Sequence, residues 1–329
     1  PCPRARRAYG IPRAGAAPRR RAGVTPDLVC LGNLIVDDLV FADGRTRMGE
    51  PGGAIAYVAL GARLWNVGVG VVGPLGSDYP RDSLEGLHAR GVDISGLRPL
   101  PGPGLRTWLL HEPCGRRVIH RLDSADHFEA SPRPDDVPAA WRAARAIHLA
   151  PMPLARQREL VASLAPTAGM LSLDPHETVS VSNADAWREV VRHVDVFIPN
   201  DEELAGAREA PEQTLRAWRA ALGDPGRLKF VLLKQGARGG LALDARTGAT
   251  TRWRPRAERV VDATGAGDAF AGGWLAAWLE QQDLQAALEQ GVVSASFVLE
   301  DWGLAALSAA TPAAARLRRQ AWFGRVASG

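Results

Sequence analysis

Residues 262–268, with the sequence DATGAGD, combine a glycine-rich turn and an acidic side chain at the start of a predicted helix. The turn Gly265–Ala266–Gly267 would gather backbone N–H groups at the positive end of the helix dipole, where a phosphate binds well. Asp268 would lie beside that anion, where a carboxylate can accept a proton from an attacking hydroxyl. An aspartate that merely caps a helix is the simpler interpretation, but the seven-residue context disfavours it.

The longer run DATGAGDAF, at 262–270, closely resembles the signature of the ribokinase-like (PfkB) family of carbohydrate and nucleoside kinases. The resemblance implies that Asp268 is the catalytic base and that the Gly-Ala-Gly amides form the anion hole. It also implies that Thr264 belongs to the nucleotide site and that Asp262 helps to hold a monovalent cation such as K⁺. Ala263 stands where the family usually has Thr, Ser or Pro, and we expect this change to be tolerated because the anion hole uses backbone groups.

A second segment matches the nucleotide side of the family. The stretch PNDEE at 199–203 contains the pattern N-x-x-E. The resemblance assigns Asn200 and Glu203 to Mg²⁺ and the ATP phosphates, with Glu203 acting through water, as suits a hard cation bound by few protein oxygens. An ordinary helix start with acids at its N-terminus explains this segment equally well.

Two glycine-containing segments complete the nucleotide side. The stretch KQGARG at 234–239 resembles the G-x-x-G turn that follows a strand near the nucleotide, here with Gly236 and Gly239. Lys234 stands where many relatives have Thr, and it either contacts a phosphate or is a solvated strand end. The resemblance places Gly303 beside the adenine pocket.

The acceptor side also has counterparts in the resemblance. The stretch GNLIVD at 32–37 resembles the first strand and its substrate-binding aspartate, and Asp37 could accept two hydrogen bonds from vicinal hydroxyls. Asp38 competes with Asp37 for that role. The pair Gly52–Gly53 matches the substrate-facing glycines of the family. Tyr57 stands where many sugar kinases have Asn, which indicates a bulkier or less polar acceptor pocket.

Alternating strand and helix patterns must position these residues. They predict an α/β fold of the ribokinase-like type: a doubly wound, mostly parallel sheet with helices on both faces. Two hairpin-like stretches, about 36–50 and 104–123, break the alternation and predict a small β-sheet lid. Predicted strands cover 27–36, 67–72, 145–149, 169–173, 194–198 and 228–233, with a hairpin at 239–254. Predicted helices cover 52–65, 80–90, 155–164, 183–192, 201–208, 211–222, 266–279, 283–299 and 311–321.

Composition divides the chain into an arginine-rich tail, 1–23, and a kinase domain, 24–329. The tail holds seven arginines and no acid, so the rest carries a formal charge of −3, against +4 for all 329 residues. Its Pro, Gly and Ala content predicts disorder. An unstructured extension or a misassigned start of translation is favoured over a nucleic-acid-binding arm, and a transit peptide is least favoured because the tail lacks serine.

Dispersed cysteines and histidines argue against a disulfide framework or a zinc site, and they favour a cytoplasmic location. No run of eighteen apolar residues predicts a membrane span, and no apolar leader follows the first residues. The pattern G-x-G-x-x-G at 68–73 interleaves an apolar run and predicts a packed strand rather than a dinucleotide site. The absence of G-x-x-x-x-G-K-[ST] excludes a P-loop kinase.

Together the motifs predict an ATP-dependent kinase that phosphorylates a hydroxyl of a small sugar or polyol. ATP and Mg²⁺ are the expected cofactors, with K⁺ as a further candidate. A nucleoside or inositol kinase of the same family is an alternative, and a non-catalytic ligand-binding relative is another. The resemblance also makes a homodimer through the lid plausible, while a nucleic-acid partner is not expected.

Overall fold

The structure is a computed structural model that describes residues 25–112, 115–121 and 123–324. The predicted tail therefore lies outside the described residues, as does part of the predicted turn at 113–115. The strands are β1 Leu28–Leu31, β2 Ile35–Phe41, β3 Thr46–Gly52, β4 Val69–Leu75, β5 Val92–Pro99, β6 Leu105–Glu112, β7 Gly115–His120, β8 Ala146–Leu149, β9 Leu171–Leu173, β10 Val196–Phe197, β11 Phe230–Lys234, β12 Gly240–Asp244 and β13 Thr250–Trp253. The helices are α1 Ala54–Arg63, α2 Arg81–Ala89, α3 Leu154–Leu164, α4 Ala184–Val191, α5 Pro211–Leu222, α6 Ala266–Gln281, α7 Leu284–Val298, α8 Ala305–Ala309 and α9 Pro312–Phe323.

A nine-stranded sheet forms the body of the protein, in the order β13-β12-β11-β10-β9-β8-β1-β4-β5. Neighbours from β11 to β5 are parallel, whereas β12 and β13 add an antiparallel edge. The central strand β1 reads LVCL and is buried along its whole length. A continuous apolar run is expected there because helices cover both faces of a parallel sheet. The predicted doubly wound α/β architecture is confirmed.

The two faces of this sheet lead into two hydrophobic clusters. Leu28 and Cys30 point into the cluster that contains α1, α6 and α7, while Val29 and Leu31 point into the other cluster. Alternate residues of a strand face opposite sides, so one four-residue strand serves both clusters. Several tryptophans fill these clusters: Trp187, Trp218 and Trp274 are fully buried.

A separate four-stranded sheet, β3-β2-β6-β7, forms the lid. Strand β2 pairs antiparallel with β3 and parallel with β6, and β6 pairs antiparallel with β7. The predicted lid segments are therefore confirmed as strands of a small second sheet. The single strand predicted at 27–36 is wrong, because the chain leaves the large sheet after Leu31 and enters the lid at Ile35.

Other local predictions had mixed outcomes. No helix forms at 201–208, where the chain makes successive turns, and strand β5 was not predicted. The segment 68–73 lies largely in the buried strand β4, and a Cβ at Gly73 would overlap the carbonyl oxygen of Gly32. Its glycines therefore allow close strand packing, as predicted. Within the described ranges, every helix is too short or too polar to cross a membrane.

Helices α1 and α6 approach each other through glycine. A Cβ at Gly61 of α1 would lie 2.5 Å from the carbonyl oxygen of Ala269, and one at Gly272 of α6 would overlap that of Val58. The helix that begins at the glycine-rich turn is therefore held directly against α1, which carries Tyr57. This contact fixes the relative position of two candidate site residues.

We expect Gly272→Ala to lower the free energy of unfolding by about 1–3 kcal/mol, because the added methyl group forces α1 and α6 apart. Gly86→Ala in α2 is the matched control, since a Cβ there meets nothing within 4 Å. It should instead stabilise the protein by about 0.4–1 kcal/mol. Urea unfolding followed by circular dichroism measures both, and equal effects of the two changes would contradict the close helix contact.

Candidate active site

The turn 265–267 has the geometry of an anion site. Gly265 adopts φ 80° and ψ −2°, a left-handed conformation that favours glycine, and α6 starts at the next residue. Ala266 N–H donates to the carbonyl oxygen of Ala263 at 3.2 Å. Within the described part of the chain, the N–H groups of Gly265 and Gly267 have no hydrogen-bond acceptor. These two N–H groups at a helix N-terminus can bind a phosphate oxygen.

The carboxylate of Asp262 fixes this turn. It is buried and accepts hydrogen bonds from the N–H of Thr264 at 2.9 Å and from the N–H of Gly303 at 3.3 Å. In addition, Val261 N–H donates to the carbonyl oxygen of Leu299 at 2.6 Å. Asp262 therefore joins the turn to the loop that follows α7.

Thr264 and Tyr57 line the two sides of the turn. Thr264 Oγ1 is buried and has no hydrogen-bond partner among the described residues. The ring of Tyr57 packs so closely on Gly265 that a Cβ there would overlap it. An unsatisfied buried hydroxyl is costly, and an oxygen-rich ligand beside Thr264 would satisfy it.

Lys234 brings a positive charge to the same turn. It ends strand β11, and its Nζ donates to the carboxylate of Asp174, which is fully buried. A Cβ built on Gly267 would lie 3.6 Å from this Nζ. The interpretation of Lys234 as a solvated strand end is therefore excluded, because its side chain is only 13% exposed.

Asp174 is a site residue that the sequence interpretation missed. It follows strand β9 directly, at the carboxyl edge of the parallel sheet where ligands of such folds bind. One oxygen bonds to Lys234, whereas Oδ1 is buried without a partner among the described residues. The signal available in the sequence was an aspartate directly after the apolar strand LSL.

Acidic groups outnumber the single ammonium group here. Burial disfavours the charge on Lys234, yet the three nearby carboxylates outweigh it and raise the pKa of Lys234. Those carboxylates belong to Asp174, Glu203 and Asp268. Burial raises the pKa of Asp174, and the charges of the other two acids raise it further, although Lys234 opposes the change. Such an excess of acid would be relieved by a bound cation.

Asn200 and Glu203 bond to each other's backbone. Asn200 N–H donates to Glu203 Oε2 at 2.8 Å, and Asn200 Oδ1 accepts from Glu203 N–H at 2.9 Å. This reciprocal bonding resembles a capping box, but turns follow it rather than the predicted helix. Burial raises the pKa of Glu203 to about 7, with Lys234 opposing and Asp268 adding to the rise.

The acceptor side centres on Asp37 in the lid strand β2. Its carboxylate is 7% exposed and accepts a hydrogen bond from Thr107 Oγ1. A Cβ at Gly52 would overlap Asp37 Oδ2, and Gly53, with φ 100°, packs on the backbone of Asn33. The glycine pair therefore leaves the room that the Asp37 carboxylate occupies.

Asp38 does not share this role. Its carboxylate is 1% exposed, accepts from Arg121 Nη1 at 2.6 Å and from Gly49 N–H at 2.8 Å, and lies 3.7 Å from Arg106 Nη2. These contacts hold the lid strands together. Successive residues in a strand face opposite sides, so Asp38 lies away from the group formed by Asp37 and Gly52.

Tyr57 connects the acceptor side to the anion site. It is 3% exposed, and burial together with the charges of Asp37, Asp262 and Asp268 raises the pKa of its hydroxyl well above the usual value. The Tyr57 hydroxyl therefore stays protonated, and it lies close enough to the carboxylates of the acceptor side and of the anion turn to be affected by their charges. Tyr79 contacts the acceptor side as well, since its buried hydroxyl donates to the carbonyl oxygen of Gly52 at 3.3 Å.

The remaining predicted residues lie at two places around this centre. Gly236 and Gly239 flank the short turn between β11 and β12, where a Cβ at Gly239 would overlap the carbonyl oxygen of Trp253. A Cβ at Gly303 would lie 3.8 Å from the Tyr57 hydroxyl and 3.9 Å from the carbonyl oxygen of Pro51. Gly303 thus borders both Asp262 and the lid.

These groups fit a magnesium–nucleotide complex. The N–H groups of the turn, the Lys234 ammonium group and the unpartnered Thr264 hydroxyl suit phosphate oxygens. The unpartnered oxygen of Asp174 and the carboxylate of Glu203 suit a hard divalent cation. No group in this cluster is of the soft type that a transition metal would select.

Comparison with known proteins agrees with this geometry. Residues 26–311 match the model of the pfkB family carbohydrate kinases. A cytidine kinase of Thermococcus kodakarensis is 31% identical over 84% of this chain and 97% of its own length. A ribokinase II of E. coli, solved with ATP and Mg²⁺, covers 91% of this chain and all of its own at a TM-score of 0.69 and 18% identity. A nucleoside kinase of Burkholderia thailandensis, solved with inosine, covers 91% of this chain and 99% of its own at a TM-score of 0.70 and 19% identity.

The protein is an ATP-dependent phosphotransferase built on the ribokinase fold. More particularly, the chain belongs to the pfkB family, whose members act on sugars or nucleosides. The predicted family and enzyme class are therefore confirmed.

The raised pKa of Glu203 predicts a pH-dependent metal requirement. Below pH 7 the carboxyl group is mostly protonated and binds cations poorly, whereas above pH 7 it is mostly ionised. We expect the gain in ATP affinity on adding Mg²⁺, measured by isothermal titration calorimetry, to rise about tenfold from pH 6 to pH 8. Glu203→Gln should abolish the rise, while Glu202→Gln at the exposed neighbour should keep it. A pH-independent gain in the wild type would contradict the role of Glu203.

Proposed function

We propose that the protein transfers the γ-phosphoryl group of ATP to a ribose hydroxyl of a nucleoside. One observation carries the proposal: the Tyr57 ring packs on the anion turn at Gly265 while the charges of Asp37 and Asp268 both act on its hydroxyl. An acceptor held by Asp37 would therefore lie beside both the candidate base and the phosphate site. This closeness is what a direct transfer between two bound substrates requires.

The nucleotide side of the proposal uses residues from four segments. Lys234 would contact the phosphates, while Asn200, Glu203 and Asp174 would hold Mg²⁺, with Glu203 acting through water. When bound, Mg²⁺ neutralises charge on the phosphates. Supporting contacts would come from Thr264, Gly236, Gly239 and Gly303.

Asp268 would act as the general base. Its carboxylate takes the proton of the acceptor hydroxyl as that oxygen forms a bond to the γ-phosphorus, and the bond to the β-phosphate oxygen breaks to release ADP. The N–H groups of Gly265 and Gly267, with Ala266 between them, would stabilise the charge on the transferred group together with Lys234. The left-handed Gly265 and the clamp of Asp262 hold these donors in place before the reaction.

Asp37 would orient the acceptor. A carboxylate offers several acceptor positions, of which Thr107 uses one, and such a group suits the vicinal hydroxyls of a ribose ring. Gly52 and Gly53 let the sugar and the carboxylate approach the backbone closely. Tyr57, in place of an amide, would present an apolar ring face and one hydroxyl to the acceptor.

The charge around Asp37 favours an acceptor without a phosphate group. Its neighbour Asp38 faces the opposite side of β2 and pairs there with Arg106 and Arg121, which also contact Asp78 and Asp123. Three acids thus engage these two arginines and neutralise their positive charge, while the Asp37 carboxylate carries a further negative charge. A sugar phosphate would meet net negative charge there, whereas an uncharged nucleoside or sugar would not.

A free sugar is the second candidate, because the features around Asp37 recognise a diol rather than a base. We favour a nucleoside because the cytidine kinase relative is 31% identical over nearly its whole length. An inositol kinase would use the same machinery with another polyol. A purely ligand-binding role is disfavoured, since the chain carries both Asp268 and Lys234 beside the glycine-rich turn.

Three further proposals concern the setting of the enzyme. A K⁺ ion near Asp262 would stiffen the anion turn through the loop of Gly303. The lid exposes apolar side chains that suit a homodimer interface, those of Met48, Val118 and Ile119. The use of ATP and the buried free thiol of Cys30 suit the cytoplasm.

The first test is phosphoryl transfer from MgATP to a panel of cytidine, other nucleosides, ribose, other sugars, sugar phosphates and inositol. We expect a nucleoside to give the highest kcat/KM, with sugar phosphates inactive. A sugar with a higher kcat/KM would replace the nucleoside assignment. Silence across the panel while ATP still binds would contradict the proposed activity.

Asp268→Asn should keep ATP binding and lower kcat by about 10²–10⁴, because the general base is lost. Asp82→Asn is the matched control, since Asp82 is an exposed acid in the first turn of α2. Near-normal turnover of the Asp268 variant in the same assay would refute its role as the base.

Gly52→Ala should raise the KM for the acceptor by at least about tenfold, since a Cβ at this position displaces the Asp37 carboxylate. The KM for ATP should change little. Gly102→Ala provides the control, because a Cβ there meets nothing within 4 Å. An unchanged acceptor KM in the Gly52 variant would show that Asp37 does not bind the acceptor.

A further inference from the structure

An aromatic and cationic cluster joins the tip of the lid to the loop after α7. Phe41, at the end of β2, meets the Trp302 ring edge-on at a centroid distance of 4.8 Å. The guanidinium groups of Arg45 and Arg47 lie 5.3 Å and 5.5 Å from the centroid of the same indole. His111 of β6 stacks on the other side of Phe41 at 4.5 Å. We call these five residues the lid cluster.

We propose that Trp302 is a positioning residue. Its contacts with the other residues of the lid cluster would keep strand β2 and its Asp37 aligned with the anion turn. This inference rests on the proposed function for its kinetic consequences. In this proposal Trp302 acts through the elements on its two flanks.

The first flank is the loop after α7. Gly303 follows Trp302 directly, and its N–H donates to Asp262, whose other oxygen accepts from Thr264 in the anion turn. A shift of Trp302 would therefore move Gly303, and the two hydrogen bonds of Asp262 would pass this movement on to the anion turn. Loop and turn share one buried carboxylate, so they are expected to move together.

The second flank is the hairpin of β2 and β3. The tip is closed by two hydrogen bonds, from Phe41 N–H to the carbonyl oxygen of Arg45 and from Gly44 N–H to that of Phe41, both at 2.9 Å. At the base of the same hairpin lie Asp37 in β2 and Gly52 in β3. The tip residue Phe41 thus lies four positions along the strand from the acceptor-binding carboxylate.

The chemistry of the lid cluster suits a contact that can open and close. Cation–π and edge-on aromatic contacts at a partly exposed site are individually modest. Arg45 also forms an ion pair with Asp43, and Arg47 forms one with Glu50. Each arginine therefore keeps a charged partner when the hairpin tip moves away from Trp302. An open tip would admit the acceptor, and the gripped tip would exclude water during transfer.

Hydrogen–deuterium exchange tests the grip without any acceptor. In Trp302→Ala we expect the amides of Phe41 and Gly44 to exchange about tenfold faster, because the tip loses its contacts. Arg45→Ala/Arg47→Ala should act in the same direction, and since both side chains are exposed this variant keeps the core intact. Met48→Ala is the matched control, being 54% exposed on the same hairpin. Unchanged exchange in both test variants would overturn the proposal.

Kinetics provides the second measurement. Both test variants should raise the acceptor KM about tenfold and increase ATP hydrolysis relative to transfer, while Trp302→Phe should restore much of the wild-type behaviour. A fall in kcat alone, with the acceptor KM unchanged, would contradict a role in aligning Asp37. Failure of the wild type to phosphorylate any acceptor would refute the proposed function, and the exchange result would still decide whether the grip exists.

Discussion

The buried carboxylate of Asp262 is the constraint on which the rest of the site depends. It satisfies one N–H in the anion turn and one in the loop after α7, so two segments that are about forty residues apart share one group. With the turn fixed in this way, Gly265 can keep its left-handed conformation under the Tyr57 ring. The N–H groups of Gly265 and Gly267 then lie together at the positive end of the α6 dipole, and the charge of Asp268 acts on the neighbouring Lys234 and Tyr57.

Beside this fixed turn, the site buries one ammonium group together with several carboxylates. Lys234 stays charged because three nearby carboxylates outweigh the effect of burial, whereas burial itself raises the pKa of Glu203 to about 7. The sheet makes this possible, since Asp174 directly follows β9, Lys234 ends β11 and Asn200 lies shortly after β10. A parallel sheet brings the carboxyl ends of its strands to one edge. Residues far apart in sequence therefore form one cluster.

The sequence predicted the parts of the fold that depend on periodicity and glycine turns. The helix after 262–268, the lid hairpins and most of the apolar strands were correctly predicted because local pattern determines them, whereas 27–36 divides into two strands and β5 was missed. The helix predicted at 201–208 was wrong because Glu203 C=O and Ala205 N–H bond to the backbone of Val179, a distant partner that replaces helical bonding and that a local pattern does not reveal. Asp174 was missed because a single acid after a strand carries no motif. Its partnership with Lys234 exists only in three dimensions.

The chain uses arginine almost everywhere for positive charge, and of its 40 basic residues only Lys229 and Lys234 are lysines. One of these two is the ammonium group packed between Asp174 and Gly267. A guanidinium group is planar, wide and forked, whereas this space accepts a compact charge at the end of a narrow stem. Lysine at this position therefore stands out against the composition of the whole protein, and its compact ammonium group suits the place beside the Asp174 carboxylate and Gly267.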